Sequence, residues 1–182
     1  KSLEKNAQPL MEHYFKFVCE QLSRYDMDGL ELDWMRFGYH FRPGRELAGG
    51  HVITAWMRRV KKECERAAER LGHPVKLGVR VPSRPETARM LGMDGVAWAK
   101  EGLVDVVAPS PFWATCEFDI PMQEWGRLLE GTSVELVGCL EIRYQPIPYG
   151  PATMMTPELA AGAALSVLHG GADPVYLFNY FP

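Results

Sequence analysis

Glu31 and Asp33 stand two residues apart in the apolar run GLELDW, and Glu141 lies near the end of a second apolar run, VELVGCLEI. In an extended chain successive side chains alternate faces, so both acids of the first run point one way while Leu30, Leu32 and Trp34 point the other. A strand buried against helices has no packing need for two charges on its free face. Carboxyl groups held together suit proton transfer, one giving a proton while another stays ionised as nucleophile or base. In the second run the same parity sets Glu141 on one face with Cys139 and Val137, and Leu140 and Ile142 on the other. Asp33 and Glu141 are the catalytic candidates.

The elements that position these acids alternate along the chain. Apolar residues at helical spacing predict a helix over 6–24, ahead of GLELDW. The loop RFGYHFRPGRELAGG, long and rich in Arg and aromatics, leads to a helix over about 52–71, stopped by Gly72 and Pro74. KLGVRVP (76–82) and LVDVVAPS (103–110) read as the next strands, with a short helix near 94–100 between them. A helix over 122–130 precedes VELVGCLEI (134–142), and YQPIPYGPATMM follows it as a loop. Thr156 as N-cap and Pro157 at the first helical position open the last helix. That helix ends at Gly170 and Gly171, and PVYLFNYF closes as a fifth strand.

Strands alternating with helices predict a parallel sheet with helices outside, within a single domain over 1–182. No GxGxxG or Walker sequence is present, so no nucleotide cofactor is called for. Long aromatic loops follow the C-terminal ends of the strands and short ones enter them, the asymmetry of a (β/α) TIM-type barrel. A full barrel takes roughly 200 to 250 residues and eight strands. Five strands fit its C-terminal part, strands four to eight, with the earlier units on a missing N-terminal segment or a second chain.

A chain that is 47% hydrophobic and 24% charged can bury a real core, and a net charge of -3 with interspersed signs argues against nucleic acid or acidic lipid as partner. No apolar run approaches the roughly 20 residues of a membrane span, and no signal peptide is visible. The opening inside a helical lead-in is compatible with a lost signal, so a secreted or periplasmic location stays open. Cys19, Cys64, Cys116 and Cys139 form no CxxC pair and read as buried free thiols.

DGLELDW is similar to the DGxDxDxE strand-four signature of chitinase-type glycosidases, but Met35 stands where that signature has its catalytic Glu. YDMDGLELDWMR, VRVP and LVDVVAPS together more closely resemble uncharacterised bacterial glycoside-hydrolase-like barrels, which carry YDVDGIELDFMR, VRVP and LVD.VVPS. That resemblance runs along most of the chain. It implies a sugar-processing barrel with a carbohydrate substrate, and makes Glu141 the strand-seven residue that retaining glycosidase barrels commonly pair with strand four.

Glycoside hydrolysis then assigns Asp33 and Glu141 as the carboxylate pair. Arg80 has the parity to point inward and pair with Glu31, which would also keep Asp33 ionised and leave Glu141 as the carboxyl with the raised pKa; nothing in the sequence forbids the reverse assignment. Arg36, Tyr39 and His40 follow the first strand, and Ser110 and Trp113 the third. Arg143 and Tyr144 follow the fourth, and Asn179 and Tyr180 the fifth. Such groups stack on sugar rings and hydrogen-bond to hydroxyls. Trp34, Trp56, Trp98 and Trp125 read as core. Asp26 and Asp28 read as turn residues, and Asp105 as lying away from the site.

Two other readings use the same acids. A metal-dependent barrel enzyme would take Glu31, Asp33 and Glu141 as oxygen ligands; the strands lack inward histidines, so no metal is assigned. A non-catalytic carbohydrate-binding barrel would use the carboxylates only to hold sugar.

Overall fold

Leu30 and Leu32 pack on helices while Glu31 and Asp33 are exposed, and this alternation forms β1, Gly29–Asp33. The computed structural model of the chain describes residues 2–112 and 119–180, with residues 2–7 described by backbone alone. α1 (Ser2–Arg24) precedes β1, and α2 (Glu46–Leu71) follows it and packs beside α1. β2 (Lys76–Pro82), α3 (Pro85–Met90), α4 (Gly95–Lys100) and β3 (Val106–Ser110) come next. α5 (Met122–Leu129) leads to β4 (Glu135–Leu136) and β5 (Gly138–Glu141). A hairpin of β6 (Arg143–Tyr144) and β7 (Thr153–Met154), then α6 (Pro157–His169) and β8 (Val175–Phe178), complete the order.

The protein is a mixed α/β chain built on a parallel four-stranded sheet in the order β1-β2-β3-β4. β5 pairs in parallel with β8. The predicted single strand over 134–142 is therefore two, because its partner changes at Val137. Val137 N–H donates to Val107 O on one side, and the next amide, Gly138, donates to Pro174 O on the other. Through this segment five parallel strand positions follow one another in chain order, with helices between them.

The core lies between the strands and the helices. It gathers Leu77, Val79 and Val81 from β2, Val107 from β3, Ile53, Met57 and Val60 from α2, and Trp98 and Trp125. Three core indoles find acceptors: Trp56 donates to Met11 O, Trp98 to Thr54 Oγ1 and Trp125 to Ser83 O, whereas the buried Trp34 Nε1 has none among the described residues. Asp105 staples the entry to the sheet, accepting from Lys61 Nζ and from the backbone N–H of Leu77, both at 2.8 Å. Thr156 caps α6 as expected, accepting from Leu159 N–H.

Three local expectations change. α2 begins at Glu46 and not near residue 52; Gly49 and Gly50 lie within it, where a side chain at Gly49 would collide with the Phe41 ring and one at Gly50 would crowd Gly92. α3 forms between KLGVRVP and the helix near 94–100, where no helix is expected from the sequence, and Pro85 at its start has the φ a first turn needs. The stretch YQPIPYGPATMM, read as a loop, holds β7 of the β6–β7 hairpin.

Candidate functional site

The register of β1 against β2 decides what meets what. Glu31 lies opposite Gly78, and Asp33 opposite Arg80. The expected pairing of Arg80 with Glu31 is replaced by one with Asp33: Arg80 Nη1 donates to Asp33 Oδ2 at 2.8 Å. Its Nε donates to Ser110 Oγ at 3.2 Å, and the Ser110 hydroxyl donates in turn to the Ala108 carbonyl. Under the guanidinium lies the Phe178 ring, 3.4 Å from its carbon to the ring centroid. Arg80 and Ser110 are both buried, so this cation is fixed by an anion, a hydroxyl and an aromatic face. Asp33 also accepts from Met35 N–H at 2.9 Å, and Met35 is buried.

Glu31 has a different partner. Tyr176 on β8 donates its hydroxyl to Glu31 Oε1 at 3.1 Å. A flat sheet would set β1 and β8 four strand spacings apart, about 19 Å, beyond the combined reach of these side chains. Arg80 over Phe178 repeats the crossing one layer higher. The strands therefore curl, and their inner side chains converge. Glu31 is exposed as a residue, but the protein packed around its carboxyl removes enough water to push its pKa above the usual glutamate value, outweighing the Tyr176 hydrogen bond and the Arg80 charge that pull it down. Tyr176, crowded and facing that carboxyl, is pushed up to about 12 and so remains a phenol donor.

Glu141 is buried at the C-terminal end of β5. Its register partner is Phe178, the residue beneath Arg80, which brings it into the same convergence. Its Oε1 accepts from Ile142 N–H at 3.2 Å and from Asn179 Nδ2 at 3.4 Å. Asn179 has a φ of 60°, a left-handed conformation that Asn tolerates better than most residues, and it turns its amide back on the carboxyl. Burial pushes the neighbouring Cys139 thiol up, against the opposing pull of Arg80 and Ser110.

The remaining predicted residues divide. Tyr180 is half-buried and donates to Met155 Sδ at 3.3 Å. Arg143 is exposed and Tyr144 half-buried on β6, directly beyond Glu141. Arg36 and Tyr39 stand in solvent. His40 meets Trp34 and not the carboxylates: its Nε2 donates to the Trp34 carbonyl at 3.2 Å, and its ring sits edge-on to the indole. Burial lowers its pKa. Trp113 lies outside the described residues. Tyr176 and Phe178 were missed, although the alternation in VYLF sets them together on one face, as it sets Glu31 with Asp33.

A concavity of about 360 Å³ opens elsewhere, between α1 and α2, lined by Gln8, Met11, Trp56 and Arg59 among others, and takes none of the predicted residues. Among the described residues, no three His, Cys, Asp or Glu side chains gather as metal ligands. Among them too, no helix is long and apolar enough to cross a membrane.

No protein-family model matches the sequence, and no curated protein matches it either.

Proposed function

We propose that the chain forms strands four to eight of a (β/α) barrel and hydrolyses glycosidic bonds of an oligo- or polysaccharide, with Asp33 and Glu141 as its carboxylate pair. The barrel reading is supported by parallel strands in chain order, by helices between them, and by the curl that brings β8 to β1. The remaining strands would pair along the free edges of β1 and β8.

The observation that carries the functional reading is the convergence at the C-terminal strand ends: Asp33 on Arg80, Arg80 over Phe178, and Glu141 beside Phe178. Barrel enzymes keep their reactive groups at that end. Asp33, bonded to a buried guanidinium, supplies a fixed negative charge facing the sugar, where positive charge develops at the anomeric carbon. Glu141, bonded only to neutral donors in its described contacts, attacks that carbon or takes the proton of an attacking water. Exposed Tyr39 and Arg36 stand at the rim, where a sugar ring would stack and hydrogen-bond.

The test is turnover of a panel of aryl glycosides and polysaccharides by the wild type, Asp33→Asn and Glu141→Gln. Each substitution should lower kcat/KM by about 10²–10⁴-fold with circular dichroism unchanged. Full activity in either variant sinks the pair. Glycan binding without turnover, unaltered by Asp33→Asn, would point instead to a carbohydrate-binding barrel.

A further inference from the structure

Hydrolysis needs a proton for the leaving oxygen, and the site holds a third carboxyl. Asp33 is committed to Arg80, and that cation also spends its Nε on Ser110. Among the described residues no cation hydrogen-bonds to Glu31, which feels Arg80 only through its charge: its described hydrogen bond is to the neutral Tyr176 hydroxyl, and the register sets Gly78, without a side chain, beside it. The groups facing it are Asp33 on its own strand, Arg80 on β2, Cys139 on β5 and Tyr176 on β8.

We infer that Glu31 is the proton donor of the proposed glycosidase, and that Tyr176 is the positioning residue that aims it from the far edge of the curled sheet. The inference rests on the glycosidase reading and adds a residue to it. In the step, the Glu31 carboxyl gives its proton to the glycosidic oxygen. The bond from that oxygen to the anomeric carbon breaks, and its electron pair leaves on the oxygen. Water adds to the carbon, its proton passes to the Glu141 carboxylate, and exchange with solvent restores both groups. Because Tyr176 stays a phenol throughout, it can hold Glu31 in either protonation state, accepting from the carboxyl or donating to the carboxylate.

Substrates with different leaving groups test the role. A dinitrophenyl glycoside leaves without protonation, whereas an alkyl glycoside or a natural disaccharide does not. Glu31→Gln should lose at least a hundredfold in kcat on the alkyl glycoside and less than tenfold on the dinitrophenyl one. Equal losses on both would make Glu31 structural, and the same contrast in Glu141→Gln would move the donor to Glu141. Tyr176→Phe should lower kcat with KM little changed and displace the alkaline limb of the pH profile upward, because a bond to the ionised carboxyl is lost.

A measurement independent of turnover runs beside it: a ¹³C carboxyl titration with Glu31 assigned from Glu31→Gln. A midpoint above that of ordinary glutamates, rising further in Tyr176→Phe, supports the pairing. An ordinary midpoint unmoved by Tyr176→Phe overturns it. If the titration behaves as expected but no glycoside is cleaved, the glycosidase reading has failed and the Glu31–Tyr176 pairing stands.

Discussion

Asp33 and Arg80 are register partners on neighbouring parallel strands, joined at 2.8 Å, with the arginine side chain 3% exposed and the aspartate 29%. The two ends of this pair are unequal. Removing the anion leaves a guanidinium stranded in the interior, while removing the cation leaves a carboxylate that water can still reach. Asp33→Ala is expected to cost about 3 kcal/mol or more, and Arg80→Met roughly half of that. Urea unfolding of both variants and of the double mutant checks the ordering; a costlier Arg80→Met would contradict it.

Glu31 makes stability depend on pH in a set direction. Its pKa is raised on folding, so its favourable contribution is full below the usual value of 4.5 and is lost as pH climbs through the folded value. At neutral pH its ionisation opposes folding. Relative to the wild type, Glu31→Gln should therefore gain stability from acid to neutral pH. A relative loss over the same range in chemical denaturation would reverse the assignment.

Much of this arrangement can be read from alternation alone. KLGVRVP is β2 residue for residue, the acids and apolar residues of GLELD take opposite faces, and Glu141 and Asn179 meet as neighbours of one site. What alternation does not contain is register. Parity allowed Arg80 to reach either acid of β1, and only the pairing of Asp33 with Arg80 and of Glu31 with Gly78 chooses between them. Curl is equally hidden, since it arises from interstrand twist and packing, so Tyr176 could not be matched to Glu31 from spacing.

The thiols should differ in reactivity by position. Burial pushes Cys64 up to about 11 and raises Cys139; Cys19, expected to be buried, is only partly covered and is raised as well, and Cys116 lies outside the described residues. Iodoacetamide at pH 8 should label Cys19 at least tenfold faster than Cys64 or Cys139, read by peptide mapping, until denaturant equalises them.

Gly138 opens β5 against α6, and a Cβ there would lie 2.6 Å from Val167 Cγ2 and 2.7 Å from Val167 Cβ. Val167 is itself buried and cannot swing clear. Gly138→Ala should cost about 1–3 kcal/mol by overpacking, and Val167→Ala in the same chain should recover part of it. Thermal unfolding of the single and double variants measures this.

The bond between Tyr176 and Glu31 joins residues 145 positions apart. Contacts of such separation close late, because the chain between them must be ordered before they reward its lost entropy. β1, β2 and β3 can assemble from nearer neighbours, whereas Glu31 gains its partner only when the last strand docks. Refolding followed at Tyr176 should accordingly lag behind burial of Trp98 and Trp125. A polypeptide halted before β8 would hold a hydrophobic core and a Glu31 without its Tyr176 partner, so the proposed site would be completed as the final event of folding.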